Sequence, residues 1–104
     1  MDANMLVGSW AAESGDSNIE FHGDGTYLRV SSFVMPMTYE TIALDDQGTF
    51  AVGGDSVTFT PTSGHYVKNG VDEGFDAKVR QQQVQLDAAG TSMSLDGFAW
   101  SRRP

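Results

Sequence analysis

The sequence predicts an all-β protein, a single domain over residues 1–104 that forms an eight-stranded antiparallel up-and-down barrel. Short runs that alternate apolar and polar residues recur along the chain, and a Gly, Asp or Asn turn follows most of them. The turns are short enough to join neighbouring strands, and no stretch has convincing helical spacing. A chain of 104 residues has a thin core, which a closed sheet uses well because every strand contributes to it.

The chain begins with an expected strand over residues 5–12, and the clearest hairpin of the sequence follows. Its strands, 18–22 and 26–33, flank Gly23-Asp24-Gly25, where the glycines reach positive φ at little cost. Because side chains alternate along a strand, we expect one face of this hairpin to be buried and the other exposed.

The next connection, residues 31–37, is unusually apolar. Pro36 cannot donate to a strand ladder, so we expect a bend or a sheet edge here. A fourth strand over 38–44 should then end in a turn at 45–48, which contains two Asp and one Gly.

A second hairpin is expected to join strands 49–52 and 56–60 across Gly53-Gly54-Asp55. Its inward-facing residues should be Phe50, Val52, Val57 and Phe59. Residues 61–64 should turn the chain before a short strand at 65–68.

Residues 75–86 form the longest run, and their apolar positions change parity, which predicts a bulge within 81–83. The residue types would also suit a helix, but the apolar spacing fits a helix poorly. The last strand should cover 91–102, with a second bulge permitted by Gly97. The expected total is eight or nine strands.

The composition limits the classes of partner. The formal charge is −8, from fourteen acidic and six basic residues, and such a surface repels nucleic acid and anionic membranes. There are no cysteines, so disulfides and thiol chemistry are excluded. No apolar run is long enough for a membrane span, and Met1-Asp2-Ala3-Asn4 lacks the basic start of a signal peptide. We therefore expect a cytoplasmic protein that is a monomer or a homodimer.

The two ends of the chain resemble a known family. Gly8-Ser9-Trp10 on the first strand and Trp100-Ser101-Arg102-Arg103 on the last resemble the signature of lipocalin-like, or calycin, proteins. That family carries Gly-x-Trp on its first strand and a basic residue on its last strand that packs across the indole. The resemblance implies that Trp10 closes one end of a barrel and that Arg102 or Arg103 covers its ring.

No motif in the sequence defines a catalytic or metal centre. His22 and His65 are the only histidines, and neither belongs to a cluster with metal-ligand spacing, so we expect no metal and no cofactor. Glu20 and His22 share one face of a strand, where they could form an acid/base pair or simply face solvent.

Three functions are compatible with the predicted barrel. The first is the binding of a small, largely apolar organic molecule inside it. The side chains expected to contact this ligand are those of Phe33, Met35, Met37, Phe50, Phe59 and Trp100. An interior cavity of about 300 Å³ or more, lined by aromatic residues and a few polar groups, would support this function.

The second function is that of a small biosynthetic cyclase or isomerase, because lipocalin-like barrels serve as such enzymes. Such an enzyme would act by shape and by hydrogen-bond donors to a developing oxyanion, for which the candidates are Tyr39, Tyr66 and Arg29. The register of Arg29 is open, since it faces inward only if Tyr27 does. The two candidate tyrosines could equally be core aromatics with their hydroxyls at the rim.

The third function is that of a protease inhibitor or another protein-binding module with a solid barrel. It would make contact through loop 31–37 or loop 61–74. The apolar residues of the first loop suit a lid over the barrel mouth, an interface, or a plug for the barrel itself.

Overall fold

The computed structural model describes residues 2–103 and confirms the predicted fold class, a closed eight-stranded antiparallel barrel with one extra strand outside it. Met1 and Pro104, the two ends of the expected domain, lie outside the described residues. The elements are a 3-10 helix (Ala3–Met5) and strands β1 (Gly8–Ala12), β2 (Ser17–Phe21), β3 (Thr26–Val34), β4 (Thr41–Gly53), β5 (Ser56–Lys68), β6 (Val71–Asp72), β7 (Arg80–Leu86), β8 (Ser92–Leu95) and β9 (Phe98–Arg102).

The barrel closes because its first and last strands pair. β1 pairs with both β2 and β9, and the ring continues through β3, β4, β5, β7 and β8. The short β6 lies outside the ring, beside the end of β5. Apart from this detour, each strand lies next to its neighbour in sequence, which is the up-and-down order.

Two expected turns are wrong, because 45–48 and 61–64 lie within continuous strands of 13 residues each, β4 and β5. The pairing register of these strands shifts between Gln47 and Gly48, so the turn-forming residues bend a long ladder instead of ending it. A Cβ at Gly48 would lie 2.7 Å from the Cα of Pro61, which only a glycine avoids.

The expected loop 31–37 is also wrong in its first half, since residues 31–34 belong to β3 and the turn covers only 35–40. Together β3, β4 and β5 extend beyond the body of the barrel as a ribbon. The molecule is therefore elongated, with dimensions of 39 × 26 × 22 Å.

The expected run 75–86 divides into an irregular segment, 73–79, and the strand β7. β7 pairs with β5 in continuous register, so the bulge expected within 81–83 is wrong. The change of parity in the sequence arises because only part of the run is in the sheet.

The expected single strand 91–102 is wrong as well, because it is a hairpin of β8 and β9. Asp96 and Gly97 join the two strands with φ of 50° and 86°, the left-handed values of a tight hairpin turn. Gly97 thus provides a turn instead of a bulge. The expected total of eight or nine strands is nevertheless correct. Two pairs of expected strands merge into β4 and β5, whereas the expected strand 91–102 divides in two and β6 is added.

A cluster of buried side chains fills one end of the barrel. Its members are Leu6, Trp10, Ile19, Phe21, Tyr27, Phe50, Val57, Phe59, Val84, Met93, Leu95 and Trp100. They include three of the four predicted inward-facing residues of the second hairpin, and the fourth, Val52, packs against the cluster.

Trp10 and Arg102 seal this end. The Trp10 ring is fully buried, its Nε1–H donates to the Leu6 carbonyl at 2.9 Å, and the Arg102 guanidinium carbon lies 4.3 Å from the ring centroid. Arg102 also donates to the carbonyl oxygens of Met5, Val7 and Gly90. This is the arrangement that the calycin resemblance implies, with Arg102 and not Arg103 as the cover.

None of the helices among residues 2–103 has the length and apolar character needed to cross a membrane.

Candidate functional site

Arg29 points into the barrel. Tyr27, two residues earlier on β3, is 1% exposed, and side chains two apart on a strand share a face. The Arg29 guanidinium carbon lies 5.7 Å from the centroid of the Phe59 ring, and Nη1 donates to Gln82 Oε1 at 3.4 Å. The register that the sequence left open is therefore the inward one, which places a cation in the interior.

No carboxylate of residues 2–103 forms an ion pair with Arg29 within 4.0 Å. Burial lowers the pKa of the Arg29 guanidinium, and repulsion from Arg80 lowers it further. Arginine nevertheless stays protonated at physiological pH, so the group is a cation with few interactions to offset its loss of water.

Asp46 is a buried carboxylate beside this cation, with only 6% of its surface exposed. It accepts hydrogen bonds from the Tyr27 hydroxyl at 2.5 Å and from Arg80 Nη2 at 3.5 Å. Burial raises the pKa of the Tyr27 hydroxyl, and the bond to Asp46 raises it further, so Tyr27 stays a proton donor. The network holds the Asp46 side chain in one position.

Asp46 is absent from the predicted site residues because residues 45–48 were expected to form a turn. One signal could have identified it. Side chains at every second position of a continuous strand share one face. The inward face of such a strand here would hold Ile42, Leu44, Asp46, Phe50 and Val52.

A cavity of about 480 Å³ is lined by residues of β3, β4, β5 and β7 and of segment 73–79. We call it the Tyr66 cavity. Leu44, Tyr66 and Phe75 supply its apolar and ring surface. Its charged lining residues are Arg29, Lys78, Arg80, Asp45, Asp46, Glu73 and Asp76.

Segment 73–79 forms one wall of the Tyr66 cavity. Phe75 of this segment packs against β5 so closely that a Cβ on Gly64 would lie 2.8 Å from its ring. The glycine therefore lets an aromatic residue from an irregular segment cover the strand.

A second cavity, of about 420 Å³, is lined by Ser17, Arg29, Gln82, Phe98 and Trp100, among others. We call it the Trp100 cavity. Arg29 thus lines both cavities. Trp100 is 4% exposed, and its Nε1–H has no hydrogen-bond partner among residues 2–103.

The structure brings together only some of the predicted site residues. Of the candidate donors, Arg29 and Tyr66 line the same cavity, whereas Tyr39 is 80% exposed on the 35–40 turn. Tyr39 has a φ of +57°, a conformation that tight turns require.

The six residues predicted to contact a ligand also lie in different parts of the molecule. Trp100 lines the Trp100 cavity, Phe50 and Phe59 lie in the core, and Phe33 is partly buried. Met35 and Met37, at 41% and 89% exposure, belong to the exposed turn and lie outside both cavities.

The two histidines lie on the outer surface. His22 contacts Thr26 and, at 3.5 Å, Glu20, and His65 pairs with Asp45 at 3.0 Å, with both histidine side chains exposed. Within residues 2–103, no group of three or more His, Cys, Asp or Glu side chains is placed to hold a metal ion.

A scan against protein-family models found no match for this chain, and a search of curated proteins found no similar sequence. The candidate site is therefore defined by its geometry. It combines a cavity that opens to the surface, aromatic and aliphatic walls, and a cation that lacks an ion-pair partner.

Proposed function

We propose that the protein is a lipocalin-like barrel that binds a small, largely apolar organic molecule in the Tyr66 cavity. The observation that carries this proposal is the cavity itself, whose volume of about 480 Å³ suits a small organic ligand. Leu44, Tyr66 and Phe75 would contact the body of the ligand, and the polar groups of the cavity would orient it.

Two parts of the barrel support this proposal. The core cluster and the stack of Arg102 on Trp10 fill and cover one part of the barrel, while another part contains the cavity. A barrel filled at both ends would have favoured the protein-binding alternative. The segments assigned to that alternative, 31–37 and 61–74, are also largely strand.

The cyclase or isomerase alternative is the second candidate, because Arg29 and Tyr66 line the same cavity. Such an enzyme must bind its substrate in that cavity before any reaction. Tyr66→Phe would then leave binding nearly unchanged and slow the conversion of the bound molecule, which mass spectrometry of recovered ligand would detect.

A neutral fluorescent probe, N-phenyl-1-naphthylamine, tests the binding function. Leu44 lines the cavity, whereas its neighbour Ala43 is exposed on the other face of β4. We expect the wild type and Ala43→Trp to bind the probe saturably, and Leu44→Trp to lose binding because the indole fills the cavity. The proposal is wrong if the wild type does not bind, or if Leu44→Trp binds as well as Ala43→Trp.

A further inference from the structure

Arg29 is unusual because its charge is inside the barrel without an ion-pair partner. A guanidinium has five N–H donors, and the structure gives Arg29 one hydrogen bond, the 3.4 Å contact to Gln82. The ring of Phe59 adds a cation–π contact at 5.7 Å. Neither contact replaces the water that the partly buried guanidinium loses, so the barrel retains Arg29 at a cost in stability.

Two charged groups beside Arg29 act on it in opposite directions. Arg80, whose side chain is 46% exposed, repels it, whereas Asp46 attracts it but is engaged by Arg80 and by Tyr27. Of these three charged groups, Arg29 is the one without an ion-pair partner among residues 2–103.

Other charged residues lie around this floor. Asp45 pairs with His65 on the outer surface, and Glu73, Asp76 and Lys78 are exposed on the covering segment. Water and salt screen these exposed charges, whereas charges inside the barrel are screened much less. An anionic group that reaches the floor is therefore attracted mainly by Arg29 and repelled by the buried carboxylate of Asp46.

The Trp100 cavity provides a second observation of the same kind. The buried N–H of Trp100 lacks an acceptor among residues 2–103, and Trp100 lines the same cavity as Arg29. Both residues therefore have unused hydrogen-bond donors, which suit a ligand that carries acceptor oxygens.

We propose that the ligand is a small organic acid whose anionic group binds the Arg29 guanidinium, while its apolar body lies in the Tyr66 cavity. This inference rests on the proposed ligand-binding function. A carboxylate matches the planar fork of a guanidinium and can accept two parallel hydrogen bonds from it. The acid would then be the charged partner that Arg29 lacks in the free protein.

Two ligands of equal shape test this inference without changing the protein. 1-Naphthoate and 1-naphthalenemethanol differ in the charge of their polar group, and each can displace N-phenyl-1-naphthylamine from the wild type. We expect the acid to displace the probe at a concentration about tenfold lower than the alcohol. Equal displacement by the two compounds would overturn the inference.

Arg29→Met tests the role of the residue itself, with Arg103→Met as the matched loss of an exposed arginine. We expect Arg29→Met to bind 8-anilinonaphthalene-1-sulfonate about tenfold more weakly while its affinity for the neutral probe changes little. Arg103→Met should bind both probes like the wild type. Undiminished sulfonate binding by Arg29→Met would overturn the organic-acid inference.

The melting temperature separates this role from a structural one. Methionine has a similar length and no charge, so Arg29→Met should melt about 2–5 °C higher than the wild type. A lower melting temperature with equal loss of both probes would assign Arg29 to the fold and contradict the inference. A wild type that binds neither probe would instead contradict the proposed function.

Discussion

The guanidinium of Arg102 lies over the indole of Trp10, 4.3 Å from the ring centroid, and joins the last strand of the barrel to the first. The same guanidinium donates hydrogen bonds to carbonyl oxygens of the segment that precedes β1 and of the turn that precedes β8. One side chain thus connects three parts of the closed end that are distant in sequence.

Arg102→Met should therefore destabilise the protein strongly. It removes the cation–π contact and leaves three carbonyl groups without their donor, so the free energy of unfolding should fall by about 2–4 kcal/mol. Urea denaturation would measure this change. Arg103→Met, which removes one contact to Asn18, should cost no more than about 0.5 kcal/mol. Equal losses in the two variants would show that the stack does not stabilise the closed end.

Gly48 should be equally intolerant of change, because a Cβ there would collide with the backbone of Thr60 and Pro61 on β5. Gly48→Ala should lower the free energy of unfolding by about 2–3 kcal/mol or more. Gly53, near the end of β4, has open space around its Cα, so Gly53→Ala should change little. Thermal unfolding of both variants makes the comparison, and a tolerated Gly48→Ala would contradict the close approach of the strands.

The buried hydroxyl of Tyr27 should make stability depend on alkaline pH. Its pKa is raised in the folded protein above the ordinary value of 10.0, by burial and by the bond to Asp46. The folded state therefore favours the protonated hydroxyl. The resulting stabilisation is complete below pH 10.0 and is lost as the pH rises from there toward the higher folded value.

Denaturant unfolding from about pH 9 to about pH 11 would test this prediction. Tyr27→Phe is the reference, since it lacks the ionisable group and keeps the ring. The wild type should lose stability faster than Tyr27→Phe over this range. Parallel pH profiles would show that Tyr27 ionises with equal ease in both states.

His65 offers a test of the outer surface. The hydrogen bond to Asp45, and then the charge of that carboxylate, raise the pKa of the imidazole above 6.5. Asp45→Asn should return the pKa toward 6.5, as followed by NMR titration of the ring protons. Asp72 makes a smaller contribution, so Asp72→Asn should lower the pKa less. A larger effect of Asp72→Asn would mean that His65 does not pair with Asp45.

The fold class was predictable because alternation and short turns are local features that survive in the barrel. Strand lengths were not, because residues such as Asp45, Asp46 and Gly48 favour turns locally, while the pairing of β4 with β5 holds them in one ladder. The sequence indicates where residues locally favour a turn, whereas the pairing between strands determines where each strand ends.

The site was only partly predictable for the same reason. Arg29 and Tyr66 were candidates, but the orientation of Arg29 depends on which face of β3 joins the core, which a single strand cannot reveal. Asp46 was not a candidate because a turn was expected at residues 45–48. Tyr39 was placed in a strand, whereas the structure has it in the turn that ends the β3–β4 ribbon.

The ribbon of β3, β4 and β5 also determines where a strand of another molecule can pair with the sheet. A closed cylinder has no free backbone to offer to a neighbouring molecule. The last cross-strand partner of β2 on β3 is Ser31, so Phe33 and Val34 continue past it with one edge uncovered. Among residues 2–103, the end of this ribbon is therefore where aggregation by strand addition would begin, far from the sealed end of the barrel.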